Sequence, residues 1–162
     1  MSRTDESYVR VEADFPARTD QLAIVRRFVT AALRRTLMND RDGRAVVLAV
    51  DEAISNTVTH GYSSQEGNIT IRIVCDARKF SITIVDQAAR YDVAAKVDAA
   101  SVDVSNHVAA GKRHGLGLFI MRKVMDEVRY DFRDGQHNEL TLVKYIRPGA
   151  GGEAEFGRAE AG

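Results

Sequence analysis

Apolar and polar positions along the chain follow two periods, one near 2 and one near 3.6, and these divide it into elements. Tyr8, Val9, Val11, Ala13 and Phe15 lie in a short, partly alternating segment stopped by Pro16, which predicts a first strand at a sheet edge. Over residues 21–38 the period changes. Leu22, Ile24, Val25, Phe28, Val29, Ala32 and Leu33 recur at helical spacing, while Arg26, Arg27, Arg34 and Arg35 take other faces. This is an amphipathic helix with a basic exposed side, and Thr19 or Asp20 is its candidate cap. The turn-forming residues of 39–43 separate it from a second helix, expected over 44–60 and ended near Gly61.

The second helix carries Val46, Val47, Val50, Ala53, Ile54, Thr57 and Val58 on one arc. Glu52, Asn56 and His60, each four residues after the last, run down its flank, and packing alone does not require such a polar line. Residues 68–75 and 79–86 then read as two strands of an antiparallel hairpin. In the second, Phe80, Ile82 and Ile84 alternate with Ser81 and Thr83, so one face packs against helices. The stretch 87–113 has no strong period and is expected to be a mobile lid containing a short helix. A third helix is expected over 115–128, with Leu118, Met121, Met125 and Val128 in the core. Residues 128–133 and 139–146 make a second hairpin across Asp134 and Gly135. Beyond Pro148 the composition collapses to Gly, Ala, Glu and Arg, which predicts a disordered tail over 148–162 and one folded domain over 1–147. This order of elements predicts an α+β fold. It is a two-layer α/β sandwich whose mixed, mainly antiparallel sheet is covered on one face by helices.

Composition narrows the class. With 162 residues, 44% hydrophobic and 28% charged, the chain has the make-up of one soluble globular domain. Lys plus Arg and Asp plus Glu are 23 each, so nothing global favours a nucleic-acid or membrane partner, and any charge-based site must be local. The single cysteine, Cys75, excludes an intrachain disulfide and fits a reducing compartment, so a cytoplasmic location is expected. It sits in an apolar strand run and reads as a small buried hydrophobe. His107, His114 and His137 have no Cys or His partners at zinc spacing, which argues against a zinc enzyme.

Three segments carry the candidate chemistry: Glu52-Ala-Ile-Ser-Asn56-Thr-Val-Thr-His60-Gly61-Tyr62 on the second helix, Val85-Asp86 with the turn running to Tyr91-Asp92, and His114-Gly115-Leu116-Gly117-Leu118 opening the third helix. Together and in this order they resemble the ATP-binding domain of histidine kinases and of gyrase-type and Hsp90-type ATPases. The resemblance is greatest to the anti-sigma factor serine/threonine kinases of bacterial partner switching, and it covers residues 8–146.

The resemblance implies the Bergerat, histidine-kinase-like ATPase fold and the following roles. Glu52 is the general base, and Asn56, one helical turn further on, offers its side-chain oxygen to Mg2+ held with the phosphates of ATP. Asp86 receives the adenine amino group. Unpaired N–H groups at the helix start and the positive end of the helix dipole make residues 115–118, Gly115, Leu116, Gly117 and Leu118, a phosphate cradle. Lys112, Arg113 and His114 stand beside it as cationic or donor groups. Ala88 and Arg90 stand where the family carries glycines, and alanine restricts the backbone and brings a methyl group toward the base. His60 reads as a structural hydrogen-bonding residue.

The implied function is sequestration of a sigma factor, with Mg-ATP-dependent phosphorylation of a serine or threonine on an anti-anti-sigma (STAS-domain) partner, in a protein that forms a homodimer. The alternative is a nucleotide-gated or nucleotide-free partner-binding module of the same fold without kinase activity. The first strand and the basic helix are the expected contact surfaces for protein partners.

Overall fold

The structure, a computed structural model, describes residues 8–62, 66–88, 116–133 and 137–147. Strand β1 (Val9–Pro16) leads through a 3-10 turn (Thr19–Gln21) into helix α1 (Leu22–Leu33). Helix α2 (Asp40–Asn56) continues into a π-helical turn (Thr57–Tyr62), followed by β2 (Asn68–Cys75) and β3 (Lys79–Asp86). Helix α3 (Leu116–Val124), β4 (Glu127–Arg133) and β5 (His137–Tyr145) complete the described elements. The five strands form one sheet in the order β1-β2-β3-β5-β4, with β1 at one edge as the pattern predicts. Every pairing among these strands is antiparallel, so the mixed character expected of the sheet is absent from them.

Period-2 alternation sorts the sheet into two faces. Ile69, Ile71, Ile73 and Cys75 of β2, Phe80, Ile82 and Ile84 of β3, and Leu140 and Leu142 of β5 are buried on one face. Register stacks Ile73 on Ile82 and Ile82 on Leu142 across three strands. Val25, Val29 and Leu33 of α1, Val46, Val50 and Ile54 of α2, and Leu118 and Met121 of α3 complete the same core. The opposite face is mainly polar, with Val143 of β5 buried on it. Thr70 donates to Asp14 at 2.6 Å, Arg72 reaches Glu12 at 2.6 Å and Glu139 at 4.0 Å, and the Thr83 and Thr141 hydroxyls meet at 3.1 Å. Cys75 is buried as expected, and loss of solvent pushes its thiol up to about 12.

The two hairpins follow the pattern closely, and the helix ends depart from it for local reasons. Helix α1 stops at Leu33 rather than near residue 38, because the Thr36 hydroxyl donates to the Leu33 carbonyl at 2.7 Å and accepts from Met38 N–H at 3.2 Å. Neither Thr19 nor Asp20 caps it. The residue preceding α1 is Gln21, whose side chain makes no capping bond, while Asp20 pairs with Arg18 and accepts from Gln21. Helix α2 begins at Asp40 instead of Arg44. Asn39 accepts from Asp42 N–H at 2.9 Å, and Asp40 and Asp42 place negative charge at the positive helix end.

Helix α3 ends at Val124, not Val128. The Lys144 ammonium, on the inner face of β5, takes the Val124 carbonyl at 2.7 Å, and Asp126 N–H passes to the Val143 carbonyl at 2.9 Å. The chain thereby leaves the helical ladder for the sheet, and Val128 reaches the core from β4. The expected lid beyond Ala88, the turn at Asp134 and Gly135, and the tail over 148–162 lie outside the described residues. Among those described, no helix is long and apolar enough to cross a membrane.

Candidate functional site

Glu52 and Asn56 lie one turn apart on α2, both half-buried, on the flank beside the packed arc of Val46, Val50, Ala53 and Ile54. What they face is the start of α3. Gly117, the second residue of that helix, is buried, and a β-carbon placed on it would stand 2.7 Å from Glu52 Oε2, 3.0 Å from Asn56 Nδ2 and 3.6 Å from Asn56 Oδ1. Only a residue without a side chain lets the helix start approach a carboxylate and a carboxamide this closely. Two of the three sequence segments therefore meet at one place. Leu116 is half-buried at the helix start, and Leu118 points into the core, which turns the Gly117 side of α3 toward α2. Lys112, Arg113, His114 and Gly115 lie outside the described residues, as do Arg90, Tyr91 and Asp92 and the His60 side chain.

The third segment forms a second corner. Asp86, the last residue of β3, is buried, and its Oδ1 accepts from Ala88 N–H at 2.9 Å and from Asn138 Nδ2 at 2.9 Å. Asn138, the register partner of Asp86 on β5, also donates from Nδ2 to the Ala88 carbonyl at 3.0 Å. The Ala88 methyl group lies against the π-helical turn: a β-carbon on Gly61 would be 2.6 Å from it. Glycine at 61 thus makes room for alanine at 88.

The π-helical turn ties the two corners together, since it continues α2 directly from Asn56. The Tyr62 hydroxyl donates to the Asn68 carbonyl at 2.9 Å and accepts from Gln87 N–H at 3.1 Å, joining the turn to the start of β2 and to the residue after Asp86. Burial, chiefly, raises the pKa of that hydroxyl. The Gln87 N–H bond opposes the rise and the Asp86 charge adds to it. Gly67 packs against the Tyr62 ring with no room for a side chain, since a β-carbon there would overlap Tyr62 Cε1.

Sequence reasoning did not single out Asn138, nor give Tyr62 and Gly61 their parts. An asparagine opening a strand run carries no signal of its own. Its meaning comes from the β3–β5 pairing, which joins strands 50 residues apart in sequence. The basic helix is also altered in detail: Arg26 is exposed but spends its guanidinium on Asp51 of α2, at 3.0 Å from Nε and 2.7 Å from Nη2. Arg27, Arg34 and Arg35 are exposed.

An antiparallel sheet with one helical layer, in which a glycine helix start abuts an acid-amide pair and a strand-ending aspartate is tied to the same helix through its π-helical extension, is compatible with an ATPase domain. Residues 15–144 match the family of the histidine kinase-like ATPase domain, and the chain belongs to that family. It is similar to the serine-protein kinase RsbW of Bacillus cereus (strain AH187), with 26% identity over 145 residues, 88% of each chain. It is likewise similar to the serine-protein kinase RsbW of Bacillus mycoides (strain KBAB4), with 24% identity over 143 residues and again 88% of each chain.

Proposed function

We propose that the protein is an anti-sigma factor with Mg-ATP-dependent protein serine/threonine kinase activity. It acts in the cytoplasm, holds a sigma factor, and phosphorylates a serine or threonine of an anti-anti-sigma, STAS-type partner. The observation that carries this reading is the contact of Gly117 with Glu52 and Asn56, which supports one site shared by a helix N-terminus, a carboxylate and a carboxamide. Residues 1–147 are the functional unit, and the protein works as a homodimer.

In this reading the chain's own groups divide the work of phosphoryl transfer, where positioning and charge stabilisation dominate. Glu52 takes the proton of the acceptor hydroxyl. The backbone at Gly117 lets phosphate oxygens approach the α3 N-terminus, where unpaired N–H groups and the helix dipole favour negative charge. Lys112, Arg113, His114, Gly115, Leu116 and Leu118 complete that cradle. Asp86 accepts the amino group of the base, with Ala88 in the turn beneath it. The donor chemistry suits magnesium: the Asn56 side-chain oxygen is a hard ligand, and it lies at the glycine helix start, 3.6 Å from where a β-carbon on Gly117 would stand. When bound through the Asn56 side-chain oxygen, the ion supplies neutralising charge to the phosphates.

The test is direct. Purified protein with Mg-ATP and the candidate partner gives a phosphoprotein, and Glu52→Gln abolishes it. Transfer that survives this substitution removes Glu52 from the mechanism.

A second reading keeps the fold and the partner surface but drops transfer, because Ala88 replaces a glycine after Asp86. Its strength is reduced by the fit of the Ala88 methyl against Gly61. Nucleotide titration separates the cases: no binding indicates a pure scaffold, and binding without transfer indicates a nucleotide-gated binder.

A further inference from the structure

The 86–88 turn is held from across the sheet by one side chain. Asn138 lies opposite Asp86 in the β3–β5 register, on the inward face of β5, and is half-buried. Its amide orientation is dictated by chemistry. Both groups within its reach, the Asp86 carboxylate at 2.9 Å and the Ala88 carbonyl at 3.0 Å, can only accept, so the nitrogen must face them. That nitrogen has two protons and two acceptors to receive them.

Two consequences follow for the carboxylate. Oδ1 of Asp86 is fixed by Ala88 N–H and by Asn138, and among the described residues no donor is placed on Oδ2. Asn138 has also used its donor end, so what it has left is an acceptor oxygen. The corner therefore presents acceptors, Asp86 Oδ2 and Asn138 Oδ1, and is matched to a ligand edge that donates. A base with an exocyclic amino group at this edge suits it; one with a carbonyl there would set lone pair against lone pair.

We propose that Asn138 is the positioning and specificity-setting residue for the base-binding carboxylate. By clamping Asp86 Oδ1 and the Ala88 carbonyl together it holds the turn in the shape that selects an adenine over a guanine nucleotide, and it fixes by a cross-strand bond a turn that lacks the family's glycine. This inference rests on the nucleotide-binding reading above.

The experiment is calorimetric titration of the full chain with ADP and, separately, GDP, for wild type, Asn138→Leu and Asn138→Ser, with thermal melts of each protein without nucleotide. Leucine keeps the volume and removes both donors; serine keeps one donor. Wild type is expected to prefer ADP. Asn138→Leu is expected to lose roughly tenfold in ADP affinity with GDP affinity little changed, so that the ADP-to-GDP ratio collapses, and Asn138→Ser to recover part of it. A loss of both nucleotides by the same factor is the mark of a merely structural residue and overturns the proposal, as does an unchanged ratio. If the leucine variant does not fold, the ratio for the serine variant decides in the same way. Wild type that binds neither nucleotide overturns the nucleotide-binding reading itself. Wild type that binds ADP while the variants keep its preference sinks only the role of Asn138.

Discussion

Gly117 stands against Glu52 so closely that a β-carbon would come within 2.7 Å of the carboxylate oxygen, and the second near atom, Asn56 Nδ2, is also a side-chain end. Neither obstacle is backbone. Both can swing aside, so the fold tolerates the extra methyl group while the acid-amide pair does not. Gly117→Ala is expected to change stability by no more than about 1 kcal/mol and to lower phosphotransfer at least about a hundredfold, because misplacing reacting groups by an ångström has that effect. Urea denaturation and a transfer assay on the same preparation check the two halves. Equal loss in both would mean that the glycine serves packing.

Glu52→Gln keeps shape and removes basicity. The expected result is a loss of roughly 10²- to 10⁴-fold in transfer with nucleotide affinity nearly intact. Titration with ADP alongside single-turnover transfer separates the two quantities.

Tyr62 bridges the π-helical turn, β2 and β3 through a single oxygen. Tyr62→Phe leaves the Gln87 N–H and the Asn68 carbonyl without that partner and should destabilise the domain by about 1–3 kcal/mol. It should also weaken ADP binding, since Gln87 adjoins Asp86. Denaturation midpoints and titration check both effects.

Cys75 gives a pH test whose sign is fixed. Its folded thiol, raised to about 12 by burial, stays protonated where the unfolded thiol, near 9.0, ionises. The unfolded state then binds fewer protons, so stability present below pH 9 is lost as pH rises toward 12, at no more than about 1.4 kcal/mol per unit from this group. Cys75→Ala should flatten that part of the alkaline stability curve. At pH 8 the wild-type thiol should resist iodoacetamide until the protein unfolds.

Lys144 is nearly buried, bonded to the Val124 carbonyl, with Asp42 and Asp126 each at 3.8 Å. Lys144→Met should cost about 1–3 kcal/mol, because it leaves the Val124 carbonyl at the end of α3 without its donor and takes a cation from Asp42 and Asp126, which keep Asn39 and Arg147. A smaller loss in urea melts would show that solvent reaches the carboxylates readily.

The strands were legible because their signal is local. Alternation in 68–75 and 79–86 fixes both the period and the face, and Asp76 closes the turn by accepting from Arg78 and Lys79 N–H at 2.7 and 2.9 Å. Helix ends were less legible because side chains distant in sequence, or a single hydroxyl, decide them. Lys144 ends α3 from 20 residues away, and Thr36 ends α1. At the site, the helical offset of Glu52 and Asn56 was readable from spacing and the glycine helix start that meets them from the resemblance, but the Asn138 and Tyr62 bonds that hold the Asp86 corner were not. Ala88 shows the limit most clearly: read alone it is a lost glycine, whereas in space its methyl group occupies room left by Gly61 on another element.

The inward faces of β2, β3 and β5 pack against one helical layer, and α2 lies in it. One rod of 17 residues thus supplies Val46, Ala49, Val50, Ala53 and Ile54 to the interior and presents Glu52 and Asn56 along its side. Substitutions that adjust its tilt or register for stability must displace Glu52 and Asn56 as well. Evolution at this helix is therefore constrained twice at each step, and a stabilised variant of the protein is best sought in α1 or on the wet side of the sheet.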